Sequence, residues 1–340
     1  MRLGIDTYSL RWQGWSAFQY LEYSARIGLD NVHFSGRQYF ESLDADYLLS
    51  LKRRADELGL QIEMGIGSFD RFSRGFRSEW GSGEEQLSEM LRASALVGSR
   101  VVRCFLGSQD DRVGPVQLAE HVAECLRTLK SVATLARELG VKIAVENHGG
   151  VDLLARELRD LVRAAGPDFV GVCLDTGNPA YAGEDPVLTT EILAPYAVTS
   201  HVRDNRVWAT DDGARAQWVP MGQGNTDLRR IVAIMREKAP NIPIDLEIIT
   251  GYPPKALPYL DPGSDFWQMF PDMPARDFAR FVALARTGAP EPLDQLLVPS
   301  GLGAPPDDSS GDALRAQQLR HFEESVAYSR DVLGLGERGR

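Results

Sequence analysis

The chain has 340 residues, 43% of them hydrophobic and 25% charged, which is enough for one large core. Its formal net charge of -11 repels phosphate backbones, so a nucleic-acid partner is not expected. No run of eighteen apolar residues and no signal-peptide pattern is present, so a membrane span is not expected either. The three cysteines form no CxxC pair, which favours buried thiols in a reducing, cytoplasmic setting.

Eight short apolar runs, each typical of a buried strand, alternate with amphipathic stretches along the chain. The runs cover residues 2–6, 30–34, 61–66, 101–106, 142–147, 169–175, 197–202 and 242–248. The clearest helical pattern spans 116–139, where apolar residues recur at three- and four-residue steps. Eight strand–helix units predict an α/β protein with a closed (β/α)₈ TIM barrel. No GxGxxG motif follows the first strand, which argues against a dinucleotide-binding fold.

Two segments depart from this alternation. Residues 250–273 are rich in proline and aromatic residues, and are predicted to form a lid-like loop after the eighth strand. Residues 1–287 then form the barrel, whose last helix covers about 274–286. Residues 288–340 are predicted to be an extension, in which a Pro-, Gly- and Ser-rich linker leads to a helical tail over about 313–333. A tethered helix is a natural arm for gripping another chain, so we expect an oligomer.

Polar side chains end the last four predicted strands, at the rim where the active sites of such barrels lie. Strand five ends in Glu146, strand six in Asp175, strand seven in His201 and strand eight in Glu247. Three carboxylates and one imidazole suit a hard or borderline divalent ion, with Mn²⁺ preferred and Mg²⁺ or Co²⁺ as alternatives. A single carboxylate here could cap a helix or bind an arginine, but four in succession are difficult to explain without a metal.

An ion with four protein ligands keeps positions for two adjacent substrate oxygens, and it would polarise a carbonyl and stabilise an enediolate. Glu146 and Glu247, at either side of the site, could remove and return the proton. Side chains alternate along a strand, so His148 shares the inward face with Glu146. A hydrogen bond within the core is the alternative role for His148.

Residues close to these ligands are candidates for substrate binding. His33 ends strand two and either faces the site or has a structural role, while Arg203 and Arg206 closely follow the histidine of strand seven. Trp267 lies in the 250–273 loop, where aromatic faces suit a sugar ring or an aromatic aglycone.

Other polar features have simpler interpretations. His121, on the long helical pattern, and His321, in the tail, are predicted to be surface residues. Gly222 and Gly224 precede Asn225 in a pattern typical of a tight turn leading into a helix, with anion binding as the alternative.

The residues at these strand ends resemble the motifs of the sugar phosphate isomerase/epimerase superfamily, the xylose-isomerase-like barrels. The matching pieces are VENHGG (145–150), CLDTGN (173–178), SHVRDN (200–205), MGQGNTD (221–227) and DLEI (245–248), and the resemblance covers about residues 1–287. In the ketose 3-epimerases of this superfamily the matching glutamates bind the metal and shuttle the proton, which the resemblance implies for Glu146 and Glu247. Two positions depart from the epimerase pattern. The histidine three residues after the metal aspartate is Asn178 here, which we count as a substrate contact. The arginine six residues after the metal histidine is Val207, with Arg206 one residue short.

The ENH motif, the HVRDN stretch and the EIITGYPPKALPYL loop are also similar to the catalytic subunits of bacterial C-glycoside deglycosidases. Those enzymes act on 3-oxo-glucosides by β-elimination and pair with a small β-rich partner subunit. The histidine of their ENH-type motif is the favoured base, which the resemblance assigns to His148. The resemblance therefore implies a metal-dependent enzyme that acts on a carbohydrate or glycoside, either as an isomerase or epimerase or as a β-eliminating lyase.

Three further classes of protein are alternatives to this interpretation. Dehydratases of keto-inositols or dehydroshikimate remain open, because the same enediolate can expel a β-hydroxyl group. A DNA-repair endonuclease of this fold would need a histidine-rich three-metal site and a basic face, whereas this chain is acidic and has five histidines. A non-catalytic scaffold would be expected to have lost some of the four ligands, and all four are present.

Overall fold

Parallel strands close into an eight-stranded barrel in the computed structural model, which describes residues 1–290, 295–298 and 303–337. The strands of this part of the chain are β1 (Leu3–Asp6), β2 (Asn31–Phe34), β3 (Gln61–Ser68), β4 (Val101–Phe105), β5 (Lys142–Glu146), β6 (Val170–Asp175), β7 (Ala197–Val202), β8 (Asp204–Thr210), β9 (Gly213–Val219), β10 (Ile244–Leu246) and β11 (Lys255–Leu257). The barrel uses β1 to β7 and β10, and β10 closes it by pairing with β1. The predicted (β/α)₈ barrel is confirmed.

The barrel strands are buried on both faces, because helices cover the outside and side chains fill the inside. All six residues of β6 are buried, and so are all four of β1. This explains why the strands are continuous apolar runs rather than alternating patterns. The three cysteines are free and buried, which confirms the burial predicted for Cys104 and Cys173 from their apolar surroundings in the sequence.

Helices surround the barrel and follow the strands in chain order. They are α1 (Ala17–Arg26), α2 (Ala45–Leu58), α3 (Gly83–Val97), α4 (Leu118–Ser131), α5 (Ala133–Leu139), α6 (Ala155–Ala165), α7 (Pro186–Leu193), α8 (Leu228–Lys238), α9 (Asp265–Met269), α10 (Ala275–Ala285) and α11 (Ser309–Asp331). The helix expected over 116–139 is two helices, since Val132 between them leaves the helical conformation at φ -99° and ψ 3°. None of the helices described here has the length and apolar character that a membrane crossing requires.

A three-stranded antiparallel sheet stands outside the barrel and was not predicted. It consists of the β8–β9 hairpin, inserted directly after β7, and β11, which pairs with β9. The predicted loop 250–273 therefore contains both β11 and the short helix α9. Its aromatic residues Phe266 and Phe270 are buried in a second apolar cluster with Phe281 of α10. Burial against the chain's own hairpin and α10 removes this apolar surface from water.

The C-terminal helix α11 packs on its own barrel, between α8 and α1. Arg330 of α11 donates to the carbonyls of Ile27 and Gly28, just after α1, at 2.7 and 2.6 Å. On the other side, Arg236 of α8 donates to the carbonyl of Leu333 at 2.8 Å. This is the place of the eighth helix in a (β/α)₈ barrel. Helix α11 thus closes the ring of helices instead of reaching away from it as a free arm.

Two histidines expected at the surface are buried, so those predictions were wrong. His121 is 2% exposed and its Nδ1 bonds the carboxylate of Asp70, which is fully buried. His321 is 5% exposed, and its Nδ1 lies 3.2 Å from the hydroxyl of Thr250. Both partners are distant in sequence, which is why the helical pattern alone could not reveal the burial.

Candidate metal centre and active site

Four side chains from neighbouring strands converge at the C-terminal rim of the barrel. Glu146 is the last residue of β5 and Asp175 the last of β6, while His201 lies in β7 and Glu247 directly follows β10. One ligand atom of each lies within 4.8 Å of the others, and all four residues are buried. His201 Nδ1 is 3.2 Å from Glu146 Oε2 and 3.4 Å from Glu247 Oε2. The structure thus brings together the four residues predicted as ligands.

His201 is oriented by a carboxylate on the far side of its ring. Nε2 lies 3.2 Å from Asp6 Oδ2, so the opposite nitrogen, Nδ1, faces the cluster. That Nδ1 is buried and has no aligned hydrogen-bond partner among the described residues. Metal-binding histidines are usually held in this way by a carboxylate. A buried imidazole nitrogen without a partner, next to three carboxylates, fits a divalent ion.

Two arginines face the carboxylates of this cluster. Arg103 of β4 bonds Glu146, and Arg203 bonds both Asp175 and Glu247. Burial raises the pKa of Glu146, but the charges of Arg103 and His201 together outweigh burial and keep that pKa well below its usual value. Burial raises the pKa of Asp175 to about 7, against the opposing effect of Arg203. The positive charges of the two arginines offset the energetic cost of burying several carboxylates close together.

Backbone groups hold Asp175 in a fixed orientation. Its Oδ1 accepts the N–H groups of Gly177 at 2.7 Å and Asn178 at 2.6 Å, which leaves Oδ2 for the cluster. A Cβ at Gly177 would lie 2.1 Å from Cγ of Arg203, so only glycine lets the guanidinium reach Asp175. The side chain of Asn178 donates to the carbonyl of Asn147 at 3.0 Å and lies 3.4 Å from Glu146 Oε1.

His148 lies beside the cluster with one ring nitrogen fixed. Its Nδ1 is 2.7 Å from the carbonyl oxygen of Gly107, which can only accept a hydrogen bond. The neutral ring therefore carries its proton on Nδ1 and keeps a lone pair on Nε2. The ring stacks on Phe105, with centroids 3.6 Å apart. Burial lowers the pKa of His148 to about 4, so it is neutral at pH 7.

A buried carboxylate that the sequence analysis missed supports His148. Asp152 accepts the N–H of His148 at 2.9 Å and that of Leu153 at 2.7 Å through Oδ1, and the N–H of Gly107 at 3.0 Å through Oδ2. It thereby ties the loop after β4 to the loop after β5. The only sequence signal for this role is a charged residue close behind a strand-end motif, which many loops share.

A cavity of about 570 Å³ adjoins these groups, and Glu247 is the ligand candidate among its lining residues. It is lined by Tyr8, Ser35, Gly36, Gln38, Gly67, Gly75, Arg77, Glu79, Trp80, Arg103, Phe105, His148, Gly149, Asn178, Arg203, Trp218, Glu247 and Ile249. Four predicted site residues are among them: His148, Asn178, Arg203 and Glu247. The volume is typical of small-molecule sites, and polar groups at the base face aromatic rings on the walls.

The sequence did not identify most of the residues that form the cavity wall. Arg103 had a signal, since it is a charged residue inside an apolar strand. Trp218 had none, because the β8–β9 hairpin that carries it was not predicted. Its ring stacks on Tyr181, with centroids 4.1 Å apart, and the guanidinium of Arg203 lies 4.8 Å from its centre.

Three residues that were predicted to bind substrate are not among the residues that line this cavity. His33 is fully buried beneath the ligands, with Nδ1 3.3 Å from His201 Nε2. Arg206 lies on the hairpin, where it donates to the carbonyl of Gln223 at 2.8 Å. Trp267 packs in the second apolar cluster, and its indole N–H donates to the carbonyl of Tyr259 at 2.9 Å.

In the predicted glycine turn, a carboxylate of the chain itself accepts the N–H groups that could otherwise bind an anion. The N–H groups of Gly222 and Gly224 donate to Oδ2 of Asp204 at 3.0 and 2.9 Å. Asp227, rather than an earlier residue, caps α8 by accepting the N–H of Arg230 at 3.0 Å. The simple interpretation as a turn into a helix therefore accounts for this motif.

Comparison with known proteins agrees with this architecture. The sequence model of the family described as xylose isomerase-like TIM barrel matches residues 21–267. The chain belongs to this family. Among curated proteins, this xylose isomerase-like barrel is 25% identical over 211 residues to a 3-oxo-isoapionate decarboxylase of Pectobacterium atrosepticum, covering 60% of this chain and 69% of that protein.

Solved structures similar to this xylose isomerase-like barrel include two with sugars or metals in their descriptions. A D-psicose 3-epimerase with D-tagatose, from Clostridium cellulolyticum H10, superposes with a TM-score of 0.63 and 14% identity, covering 98% of this chain and 99% of that one. A xylose isomerase-like barrel from Mycobacterium smegmatis in complex with magnesium gives 0.58 and 12%, covering 84% and 97%. At these identities the likeness shows the fold alone.

Proposed function

We propose that this protein is a divalent-metal-dependent enzyme that removes a proton beside the carbonyl of a sugar or keto-sugar, through an enediolate. One observation carries the proposal: Glu247 of the ligand cluster lines the same cavity as His148, a neutral imidazole whose proton is fixed on Nδ1. A Lewis-acid site and a base side by side are what enolisation requires.

Each of the chain's own residues has a definite part in this proposal. Glu146, Asp175, His201 and Glu247 would hold the ion, for which Mn²⁺ is the first choice and Mg²⁺ or Co²⁺ are alternatives. Such an ion supplies positive charge where oxygen becomes negative during enolisation. His148 removes the proton through Nε2, while Arg103 and Arg203 favour the ionised forms of Glu146 and Glu247.

Orientation rather than proton affinity favours His148 over either glutamate as the base, since burial lowers the pKa of His148 to about 4 as well. Glu146 and Glu247 are each bonded to an arginine, which lowers their proton affinity. His148 bonds only a backbone carbonyl through Nδ1, and that bond fixes Nε2 as the acceptor. The glutamates remain candidates for returning the proton on the other face of the substrate.

The fate of the enediolate decides between an epimerase and a lyase. Asn178 replaces the histidine that the resemblance implies for ketose 3-epimerases, and no arginine stands at position 207. The cavity wall carries Tyr8, Trp80, Phe105 and Trp218, which offer flat surfaces for an aromatic aglycone. These features favour β-elimination from a 3-oxo-glucoside: the base takes the C2 proton, the C1–aglycone bond breaks, and the aglycone leaves with its electron pair and takes up a proton.

Two alternatives pass through an intermediate of the same kind. A keto-inositol or dehydroshikimate-type dehydratase would expel a β-hydroxyl group instead of an aglycone. Decarboxylation of a 3-oxo acid, the reaction in the name of the Pectobacterium relative, also leaves an enolate. The ligand cluster and His148 would serve each of these reactions, so the substrate must be identified by assay.

A panel assay tests the proposal. The purified protein, loaded with Mn²⁺, is offered free ketoses, 3-oxo-glucosides, keto-inositol and a 3-oxo sugar acid, and products are followed by NMR. We expect turnover of one class, with loss of activity in Asp175→Asn. Asp56→Asn, which removes an exposed carboxylate on the opposite face, serves as the matched control and should remain active. Turnover that survives chelation and Asp175→Asn would rule the proposal out.

A further inference from the structure

A second group of potential ligands lies inside the barrel, beneath the site described above. We call it the interior cluster, and it consists of His33, Glu63 and Asp245. His33 Nδ1 is 3.5 Å from Glu63 Oε2 and 3.6 Å from Asp245 Oδ2, and one ligand atom of each residue lies within 4.8 Å of the others. His33 and Asp245 are fully buried and Glu63 is 9% exposed.

The charge of Arg2 acts on both carboxylates of the interior cluster, but among the described residues no direct ion pair with a lysine or arginine balances them. The shared ionic partner of Glu63 and Asp245 is His33. Neutral donors add Thr199, which bonds Glu63, and Asn31, whose amide donates to both oxygens of Asp245 at 2.9 Å. Two buried carboxylates beside one imidazole are costly unless another cation compensates them.

Unpaired atoms and close packing adjoin the interior cluster, and Nδ1, the His33 nitrogen that faces the carboxylates, also lies 3.3 Å from Nε2 of His201. Nε2 of His33 and Oδ1 of Asn31 are buried and have no hydrogen-bond partner among the described residues. The barrel wall opposite is Gly4, where a Cβ would lie 1.9 Å from Asp245 Oδ1. Glycine at this position in β1 lets the carboxylate occupy the interior of the barrel.

Glu63 is the member of the interior cluster that is accessible from the opposite mouth of the barrel, through a pocket whose lining also includes the cations Arg2, Lys52 and Arg100. This pocket of about 320 Å³ lies at the N-terminal ends of the strands, where it is also lined by Gln61 and Val101. The upper ligands are absent from the lining of this lower pocket. A small cation can therefore approach Glu63 without crossing the upper site.

We propose that His33, Glu63 and Asp245 form a second binding site for one divalent metal ion, filled from the N-terminal mouth of the barrel. Ligands at about 2.0–2.1 Å from a tetrahedral ion are about 3.3–3.4 Å apart, close to the separations of 3.5 and 3.6 Å from the histidine nitrogen. One imidazole and two carboxylates are borderline donors, which suit Zn²⁺ or Mn²⁺. The ion would brace β2, β3 and β10, and it does not depend on the function proposed above.

Metal content per chain tests the interior site. Wild type, an upper-site variant (Asp175→Asn with Glu247→Gln) and the same variant with Glu63→Gln are saturated with Zn²⁺ or Mn²⁺, desalted and measured by elemental analysis. We expect two ions, one ion and none, respectively. Zn²⁺ should raise the melting temperature of the upper-site variant but not that of the variant that also carries Glu63→Gln.

Single variants and a matched control keep the result interpretable. Asp245→Asn or Glu63→Gln alone should each hold one ion, and Asp56→Asn, in the same lower pocket, should hold two. One ion in wild type that the upper-site variant loses would overturn the interior site and leave the proposed function standing. One ion that the upper-site variant keeps and Glu63→Gln loses would support the interior site and overturn the proposed metal centre. If Glu63→Gln does not fold, Asp245→Asn replaces it in the same comparison.

Discussion

His148 illustrates how neighbours at the residue scale set a chemical role. The carbonyl of Gly107 takes the proton-bearing nitrogen, and the stacked ring of Phe105 fixes the plane of the imidazole. Asp152 then holds both backbone segments in register. The remaining nitrogen thus keeps its lone pair, while the charges of Glu146, Arg103 and Glu247 act on the ring from nearby. A proton acceptor that is already oriented avoids reorganisation during the reaction.

Substitutions at His148 and Glu247 should distinguish the residue that acts as the base from the residue that binds the metal. His148→Ala should lower turnover by roughly a hundredfold or more, the usual size for a general base, with unchanged metal content. Glu247→Gln should lower turnover and also weaken metal binding, because the amide is a poorer ligand. Steady-state kinetics and elemental analysis of both variants check this. Equal activity of His148→Ala and wild type would remove His148 from the mechanism.

The upper ligands were accessible to sequence reasoning because each belongs to a strand end. A parallel barrel brings all such ends to one rim, so Glu146 and Asp175 could be placed without coordinates. Arg203 was identified from its nearness to His201, although its bonds to two carboxylates were not. Asp6 could not be assigned, since its role depends on which nitrogen of His201 faces the cluster.

At the scale of elements, the main surprise is where the eighth helix comes from. Helix α10 follows β10 in sequence but packs with the β8–β9 hairpin, while α11 fills the gap between α8 and α1. Phe322 and Val326 of α11 belong to the main core, together with Ile5 and Leu246 of the barrel. The C-terminal helix is therefore part of the framework that supports the site, and its removal would expose the core.

Phe322→Ala tests that integration. The side chain is fully buried, and truncation of a buried phenylalanine typically costs about 3–5 kcal/mol. Glu324→Ala, on the exposed side of the same helix, should change stability by no more than about 0.5 kcal/mol. Urea denaturation of both variants measures the difference. Similar free energies of unfolding for the two would mean that α11 is only loosely attached.

The attachment of α11 should also depend on pH through His321. Burial lowers the pKa of His321 to about 4, below the usual value near 6.5, so the unfolded chain takes up the proton first as pH falls. The stabilisation is complete above pH 6.5 and is lost between about pH 6.5 and 4, at most about 3 kcal/mol. Unfolding free energies of wild type and His321→Gln at pH 7, 5.5 and 4.5 check this. A pH-independent difference between the two proteins would contradict it.

The secondary structure was predicted correctly where a single hydrophobic pattern runs through a segment. Each of the eight barrel strands was found as a short apolar run, because burial on both faces demands it. The β8–β9 hairpin was not predicted because polar and apolar residues alternate only weakly along it. It also follows β7 with only Arg203 between the two strands. The position of α11 escaped because its partners, such as Tyr23 and Arg236, are far away in the chain.

At the scale of the whole molecule, charge is distributed unevenly. The chain carries a net charge of -11, yet the cavity is lined by Arg77, Arg103 and Arg203. Positive groups inside an acidic molecule neutralise the ligand carboxylates and leave the mouth attractive to oxygen-rich substrates. This distribution suits a polar small molecule better than a nucleic acid.

Association with another chain remains a prediction. The helix that suggested it, α11, is occupied by its own barrel, so an interface must use other surfaces, such as the exposed Phe72 or Leu260. We expect a homo-oligomer or a complex with a small β-rich subunit. Light scattering of the purified protein should give a mass above 37.6 kDa. A monomeric mass, alone and in the presence of candidate partner subunits, would contradict this expectation.

The most direct test of the central claim is hydrogen exchange at the substrate carbon. The protein is loaded with Mn²⁺ and incubated in D₂O with the substrate found by the panel assay, and the proton beside the carbonyl is followed by NMR. We predict that the original hydrogen at this carbon is lost to solvent: deuterium replaces it in an epimerised product or in exchanged substrate, whereas β-elimination leaves a C1=C2 double bond with no hydrogen there. Chelation or Asp175→Asn should abolish both this loss and turnover. Turnover that keeps the original hydrogen at that carbon or moves it to a neighbouring carbon, or loss of that hydrogen that persists after chelation, would contradict a metal-dependent enediolate.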